Sequence, residues 1–249
     1  MKIATIVPTA HLDLTRHETY HLALAQIAMR DKAYRRWFRQ AAWRHGSFVM
    51  VDNGAAELGA GVQTRVLKRA AHLIDAHEVV LPDVVSNGSA TRVASREGRR
   101  VWGSSDRRRM AVPHGATLEE YRNVAMEFLS WPDVQTIGIS RFVVDHGLVP
   151  NRIELLHLMP EIVNSNRAIH LLGCSGDPGE AYYIERAFPN RVRGIDSGIA
   201  AIYTQAGRSI RDGPKPQIEL DFGGTLDAEL LALNIRDWRV RVASGVWYY

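Results

Sequence analysis

Residues 48–84 read FVMVDNGAAELGAGVQTRVLKRAAHLIDAHEVVLPDV, and this stretch decides the fold. Two short apolar runs, FVMVDNG (48–54) and EVVLPDV (78–84), flank TRVLKRAAHLIDA (64–76), which has helical periodicity. The two runs are apolar on both faces, as are strands of a parallel sheet that helices cover on both sides. The stretch therefore predicts a strand–helix–strand unit.

The same alternation extends along the chain in both directions. Helical periodicity recurs in YHLALAQIAMRDKAYRRWFRQAAW (20–43) and LEEYRNVAMEFLS (118–130), among others. No glycine-rich dinucleotide motif follows the first strand, so the pattern favours a (β/α) TIM-like barrel, closed or irregular, over a Rossmann sheet. QIELDF (217–222) and WRVRVAS (238–244) are alternative eighth strands. The predicted strands are IATIVPT (3–9), FVMVDNG (48–54), EVVLPDV (78–84), MAVPHG (110–115), TIGISRF (136–142), AIHLLGCSG (168–176) and VRGIDSG (192–198).

Length and composition indicate one globular barrel with a short appendage. We expect residues 1–210 to form the catalytic barrel and 211–249 to pack on it as a C-terminal extension, with RDGPKPQ (211–217) as the linker. The N-terminal apolar stretch is too short for a signal peptide, and no run approaches the length of a membrane span. Cys174 is the single cysteine, so a disulfide framework and a Cys-rich zinc site are excluded. We therefore expect a cytoplasmic protein with no membrane partner and no cofactor.

Positive charge is concentrated in two segments of a chain whose net charge is only +4. Residues 30–46 hold six basic residues against one acid, and residues 91–110 hold seven arginines against two acids. Aromatic residues are interleaved with them, which favours a nucleic-acid footprint. A solvated, salt-bridged face would give the same pattern. The predicted nucleic-acid-binding residues are Arg35, Arg36, Arg39, Arg99, Arg100, Arg107 and Arg108.

Polar side chains recur where the predicted strands end. Active sites of such barrels are built at the C-terminal ends of the strands, so we expect these side chains to meet at one rim. Any single aspartate there could instead cap a helix or form a turn, and a single histidine could be structural. Their recurrence favours a site in which paired carboxylates act at an anomeric carbon. The strand-end residues are Asp52, Asp83, His114, Ser140, Arg141, Cys174 and Asp196.

The motifs at these strand ends resemble, in collinear order, those of the tRNA-guanine transglycosylases. VMVDNGAAELG resembles their TDSGG-type motif, EVVLPDV their strand with a base-recognising aspartate, and AVPHG their IVQGG strand. IGISRF resembles their glycine-rich strand, IHLLGCSG their YLMGVG segment and RGIDSGIA their GIDMFD segment. The resemblance covers about residues 48–201. The short chain without a zinc-binding subdomain is most similar to phage-type 7-deazaguanine DNA transglycosylases.

The resemblance implies a reaction and a set of site residues. Guanine in DNA would be replaced by a 7-deazaguanine derivative, such as 7-cyano-7-deazaguanine, through a covalent intermediate on Asp196, with Asp52 moving the proton. The family's nucleophile position reads Ile199 here, so another rim aspartate stays an alternative nucleophile, and His114 stands where the family has glutamine. The implied substrate-binding residues are Asn53, Gly54, Asp83, His114, Gly115, Gly138, Ser140 and Gly173.

Three other functions stay open at this point. The chain could act on tRNA, it could hydrolyse free nucleosides, or it could be a non-catalytic nucleic-acid-binding subunit of a transglycosylase. The predicted partners are DNA, with tRNA ranked second, and the free 7-deazaguanine base. The sequence leaves the oligomeric state open, a homo-oligomer included.

Overall fold

The computed structural model describes residues 1–44, 46–103, 105–174 and 179–245. The ends of the predicted strand 168–176 and of the predicted extension 211–249 therefore lie partly outside the described residues. Within the described ranges, eight strands alternate with helices along the chain. The strands are β1 (Lys2–Thr5), β2 (Tyr20–Leu24), β3 (Phe48–Asp52), β4 (Glu78–Val80), β5 (Arg108–Ala111), β6 (Thr136–Ser140), β7 (Ala168–Leu172) and β8 (Val192–Ser197).

All the strand pairs in the sheet are parallel, and the strand order is β1-β8-β7-β6-β5-β4-β3-β2. The two edge strands, β1 and β2, also contact each other, so the sheet curls into a nearly closed barrel. At this seam, the buried Glu18 accepts a hydrogen bond from the backbone N–H of Thr5 at 3.0 Å. The structure confirms the predicted TIM-like (β/α) barrel. At its open edge, the Glu18 carboxylate accepts from a backbone N–H that would otherwise lack a partner.

The eighth strand is β2, which the sequence pattern had placed in a helix. Tyr20–Leu24 is a fully buried strand paired with β3, and the predicted helix 20–43 begins only after it. The two alternatives for this strand were wrong. QIELDF (217–222) is irregular, and WRVRVAS (238–244) belongs to a helix. An apolar segment buried on all sides carries no periodicity that separates strand from helix.

Helices surround the barrel, and a 3-10 helix (Thr9–Thr15) follows β1. The N-termini of several helices are fixed by side chains that accept hydrogen bonds from free backbone N–H groups, namely Asn87, Thr117, Asn151 and Asp227. The helices are α1 (Ala25–Arg30), α2 (Lys32–Arg44), α3 (Ala55–Leu58), α4 (Thr64–Ile74), α5 (Gly88–Trp102), α6 (Leu118–Leu129), α7 (Phe142–Asp145), α8 (Arg152–Leu158), α9 (Pro160–Val163), α10 (Glu180–Ala187), α11 (Ile199–Gln205) and α12 (Ala228–Ser244).

The chain after α11 returns to the barrel and packs on it. Helix α12 contacts α10 and α11 and buries Trp238 completely. Ahead of it, the backbone N–H of Leu226 donates to His11 Nε2 at 2.9 Å, next to the seam between the edge strands. No helix in the described ranges is long and apolar enough to cross a membrane.

A β-bulge interrupts the pairing of β7 with β8. Ile169 pairs with Val192 but His170 pairs with Gly194, so Arg193 is an extra residue in β8. A Cβ atom on Gly194 would meet the Tyr20 ring at 2.6 Å, and Arg193 also donates to Tyr20. Two successive residues therefore face the barrel interior, and the shifted alternation brings the end of β8 to the pocket described next.

Candidate active site

A pocket of about 460 Å³ opens at the C-terminal ends of the strands. Its lining includes all seven of the predicted strand-end side chains, which follow or end six different strands. The parallel sheet causes this convergence, because every strand delivers its last residues to the same end of the barrel. These side chains are Asp52, Asp83, His114, Ser140, Arg141, Cys174 and Asp196.

Asp83 is held by a histidine and an asparagine. His114 Nε2 lies 2.7 Å from Asp83 Oδ2, and the Asn53 amide donates to Oδ1 at 2.6 Å. Asn53 also donates to the carbonyl of Leu81 and accepts from the backbone of Ala55, so its orientation is fixed. The buried carboxylate of Asp83 thus has a set direction, and it retains lone pairs for a further donor.

Asp196 accepts two hydrogen bonds at the end of β8. His170 Nε2 is 2.9 Å from its Oδ1, and the backbone N–H of Gly173 donates to Oδ2 at 3.2 Å. His170 Nδ1 lies 2.9 Å from the Tyr20 hydroxyl. Burial raises the pKa of that hydroxyl, so the phenol keeps its proton and is able to donate it to Nδ1. With Nδ1 as the acceptor from Tyr20, Nε2 is the ring nitrogen that donates to Asp196.

The hydrogen bonds continue from this histidine to the opposite end of the barrel. Arg193 Nε donates to the Tyr20 hydroxyl at 2.9 Å, and Arg193 Nη1 donates to Glu78 Oε1 at 3.2 Å. Glu78 begins β4 and is fully buried. The side chains of Glu78, Arg193, Tyr20, His170 and Asp196 therefore form one connected line through the barrel interior, here called the axial chain.

The Asp52 carboxyl stands in acidic surroundings. Burial raises its pKa well above the usual carboxyl range, and the carboxylates of Glu57, Asp83 and Asp196 raise it further. The backbone N–H of Gly54 donates to Asp52 Oδ2 at 2.8 Å and opposes this effect in part. Asp52 is therefore suited to take up and release a proton within the pocket.

Glu57 of the short helix α3 is a pocket residue that the sequence pattern did not indicate. The residue is exposed, yet its carboxyl lines the pocket. Enclosure there and repulsion from Asp196 raise the pKa of Glu57, whereas a hydrogen bond from Gln26 and the charge of Arg141 lower it. The pocket thus gathers several carboxyl groups that cannot all ionise without repelling one another.

Cationic and apolar side chains complete the walls. Arg30, Arg141 and Lys215 line the pocket, and burial together with Arg141 lowers the pKa of Lys215. Lys215 and the residues after it come from the segment between α11 and α12, so the C-terminal extension contributes to the site. Apolar walls with a few polar groups suit a flat heterocycle whose edge carries donors and acceptors. The apolar lining includes Leu22, Leu24, Val80, Val112, Leu220 and Phe222.

The remaining predicted substrate-binding residues divide into two groups. Ser140 and Gly173 line the pocket, whereas Asn53, Gly54, Gly115 and Gly138 are absent from its described lining. Asn53 and Gly54 act behind the lining by holding Asp83 and Asp52. Gly138 lies inside the barrel, where a Cβ atom would meet Leu172 at 2.8 Å, and one on Gly115 would meet the backbone of Tyr121 at 2.5 Å. These two glycines are explained by packing.

The second basic segment does not reach the pocket. Arg107 and Arg108 lie at the start of β5 and Arg99 and Arg100 at the end of α5, which is the opposite end of the barrel. Each is already paired, because Arg99 contacts Asp133, Arg100 contacts Glu97, Arg107 contacts Asp75 and Arg108 contacts Glu78. For these four arginines the structure favours the salt-bridged face over a footprint at the pocket.

The first basic segment is divided between structural and exposed side chains. Arg35 donates to the carbonyls of Ala28 and Met29 at 2.9 and 3.0 Å and so closes the end of α1. Arg36 and Arg39 are exposed on α2, and the Arg39 guanidinium lies 5.6 Å from the ring centroid of Trp43. The side chain of Arg44 lies outside the described residues.

Sequence reasoning missed the residues that support the carboxylates from the barrel interior. His170 has a signal in the sequence, since it is a polar residue in the centre of the apolar run AIHLLG (168–173). Tyr20 was hidden in the segment expected to be helical. Within the described ranges, no group of three or more His, Cys, Asp or Glu side chains could hold a metal ion.

No protein-family model matches the chain, and a search of curated proteins finds no match. The chemistry of this site is therefore inferred from its own geometry.

Proposed function

We propose that the protein is a transglycosylase that exchanges guanine in a nucleic acid for a 7-deazaguanine base. The observation that carries the proposal is a pair of dissimilar carboxyl groups in one pocket. Asp196 is oriented by two donors, and Asp52 is a proton carrier with a raised pKa. Such a pair divides nucleophilic and acid–base work at an anomeric carbon between two side chains.

The exchange needs two displacements at C1′ of the target nucleotide. The Asp196 carboxylate attacks C1′, the C1′–N9 bond breaks, and the departing guanine takes its proton from Asp52. The incoming base then loses its N9 proton to Asp52, and its N9 attacks C1′. The bond between C1′ and the aspartyl oxygen breaks and Asp196 is regenerated. Asp52 thus returns to its protonated state and no external acid or base is consumed.

Asp83 is the proposed reader of the base edge. Its carboxylate is fixed by Asn53 and His114 and retains lone pairs that can accept the N1–H and the exocyclic amine of a guanine-type base. A base stacked in a duplex cannot reach a recessed pocket, so the nucleotide would have to be flipped out. The choice of DNA as the polymer rests on the resemblance of this sequence to the short phage-type enzymes.

The test is nucleoside mass spectrometry after the purified protein is incubated with 7-cyano-7-deazaguanine and either DNA or tRNA. We expect a 7-deazaguanine nucleoside in the DNA digest, and we expect Asp196→Asn to reduce its formation by at least about a thousandfold, as the loss of a nucleophile does. Asp13→Asn is the matched control, since Asp13 is an exposed aspartate of the 3-10 helix outside the pocket lining. This control should retain full activity.

The other outcomes separate the alternative functions. Modified nucleoside in tRNA alone would keep the chemistry and change the polymer. Guanine release from free nucleosides without nucleic acid would indicate a hydrolase. Nucleic-acid binding without modification in either digest would favour the non-catalytic subunit. Full exchange by the Asp196→Asn protein would refute the assigned nucleophile.

A further inference from the structure

A second cavity lies on the outside of the barrel, between α4 and α5. Its volume is about 430 Å³, close to that of the candidate active site. No carboxylate is among its described lining residues, and most of them are basic. This cavity is called the α4–α5 groove. It is lined by Arg65, Lys68, Arg69, His72, Trp102, Ser105 and Arg107.

The basic side chains of α4 form a stripe along one face of the helix. Arg65, Lys68, Arg69 and His72 follow the three- and four-residue spacing that places side chains on the same face, and all four are exposed. The stripe extends roughly 10 Å along the helix axis at 1.5 Å per residue. Arg65 and Arg69 have no ion-pair partner within the described ranges. Their charges are therefore available to a ligand.

Trp102 contributes a buried indole ring to the wall of the groove. The residue is only 4% exposed, it lines the groove, and its Nε1 has no hydrogen-bond partner among the described residues. A buried indole N–H normally donates to an acceptor. The Lys68 ammonium lies 5.9 Å from the centroid of the same ring, and Lys68 donates to the carbonyl of Val101 at 2.9 Å. The Lys68 ammonium is thus held over the indole ring at the groove.

Arg107 lies at the end of the groove farther from the pocket, just before β5. Its side chain is held in place because it pairs with Asp75 at 3.1 Å and also donates to the carbonyl of Ala76. Ser105 contributes a hydroxyl there. The groove therefore offers two arginines that are unpaired within the described ranges, the Lys68 ammonium and a hydroxyl donor, next to an arginine that Asp75 holds in place. Anionic oxygens are the acceptors that such a donor set accommodates.

We propose that the α4–α5 groove binds consecutive phosphates of a nucleic-acid strand. This deepens the proposed function, on which it rests, by assigning a contact to the polymer outside the pocket. A strand fits the groove better than a single phosphate because the free charges are distributed along a helix that begins at the pocket end of the barrel. Arg65 lies in the first turn of α4, and the stripe continues toward the opposite end. Arg65, Lys68 and Arg69 are then the main contacts.

The experiment measures binding of a fluorescently labelled guanine-containing DNA strand, single-stranded and duplex, by anisotropy across a salt series. No donor base is present, so the measurement does not depend on base exchange. We expect Arg65→Gln/Arg69→Gln to weaken binding about tenfold and to reduce the slope of log K against log salt by about 2. Trp102→Phe keeps the packed ring and all the charges of the groove, so it should leave the slope unchanged.

The control is Arg16→Gln/Arg236→Gln, which removes two exposed arginines that lie outside the groove lining. It should leave the salt slope within about 0.5 of the wild type if phosphate contacts set that slope. Equal affinity and equal slope in the groove variant and the wild type would overturn the proposal. Loss of GMP binding in the groove variant with unchanged strand binding would also overturn it, because the groove would then hold a free nucleotide. Strand binding that depends on the groove without any base exchange would support the groove and reject the proposed function.

Discussion

At the scale of single residues, the unusual feature is that Asp52 is placed where its ionised form is disfavoured. Burial and the neighbouring carboxylates raise its pKa well above the usual carboxyl range. An acid whose pKa is higher in the folded than in the unfolded state binds more protons when folded. The free energy of unfolding must then fall as the pH rises from the ordinary carboxyl range through the raised pKa. The site thus carries a stability cost at neutral pH, as functional sites commonly do.

We therefore predict that Asp52→Asn stabilises the fold at neutral and alkaline pH while it abolishes the proposed base exchange. The gain over the wild type should be absent near pH 4, should grow by at most about 1.4 kcal/mol per pH unit, and should level off above the raised pKa. Urea unfolding monitored by circular dichroism at a series of pH values measures this gain in the free energy of unfolding, with Asp13→Asn as the control. A wild type and an Asp52→Asn protein with parallel pH profiles would contradict the assigned electrostatics.

At the scale of elements, the sequence predicts the parts of the site that follow from strand ends. Asp52, Asp83, His114, Ser140, Gly173 and Asp196 could be found because each follows or ends an apolar run, and a parallel barrel gathers such positions. Glu57 and Lys215 could not be found in this way, because they belong to a short helix and an irregular segment whose paths depend on tertiary packing. β2 was missed because it is buried on every side.

The bulge in β8 is the other feature that no sequence pattern reveals. Strict alternation from Arg193 would turn Asp196 away from the interior, whereas the structure has Asp196 in the pocket lining, next to Ser197. The extra residue is tolerated because Gly194 lets the strand pass against the Tyr20 ring. The position of the proposed nucleophile therefore depends on a glycine two residues before it in the same strand.

We predict that Gly194→Ala lowers the free energy of unfolding by about 1–3 kcal/mol, the usual cost of overpacking a core. The added methyl group would stand 2.6 Å from the Tyr20 ring and 2.9 Å from the carbonyl of Lys2, and the backbone cannot yield as a flexible side chain would. Gly223→Ala is the matched control, since its nearest contact is at 3.4 Å. Chemical denaturation of the wild type and both variants measures the change in the free energy of unfolding that each substitution causes. Equal stability of Gly194→Ala and the wild type would show that the strand relaxes freely at this point.

At the scale of the whole molecule, the axial chain connects a buried ion pair at one end of the barrel with the pocket at the other. Glu78 and Arg193 close the N-terminal end of the interior, and Tyr20 and His170 carry the hydrogen bonds to Asp196. The polar side chains of the interior therefore orient the His170 ring and the Asp196 carboxylate, which an apolar core of equal volume could not do. It also means that a change at one end of the barrel alters the tautomer and direction of an imidazole at the other.

We predict that Arg193→Met lowers the free energy of unfolding by about 3–5 kcal/mol, because the fully buried Glu78 carboxylate then loses its main cationic partner. Glu78→Gln/Arg193→Met removes both charges and should recover most of that loss, since a neutral pair leaves no uncompensated ion in the core. Urea unfolding of the wild type, both single variants and the double variant completes the cycle. Additive losses in the double variant would mean that Glu78 and Arg193 stabilise the barrel independently. Coupling of at least about 1 kcal/mol is expected for charges in direct contact and would establish the axial chain as one energetic unit.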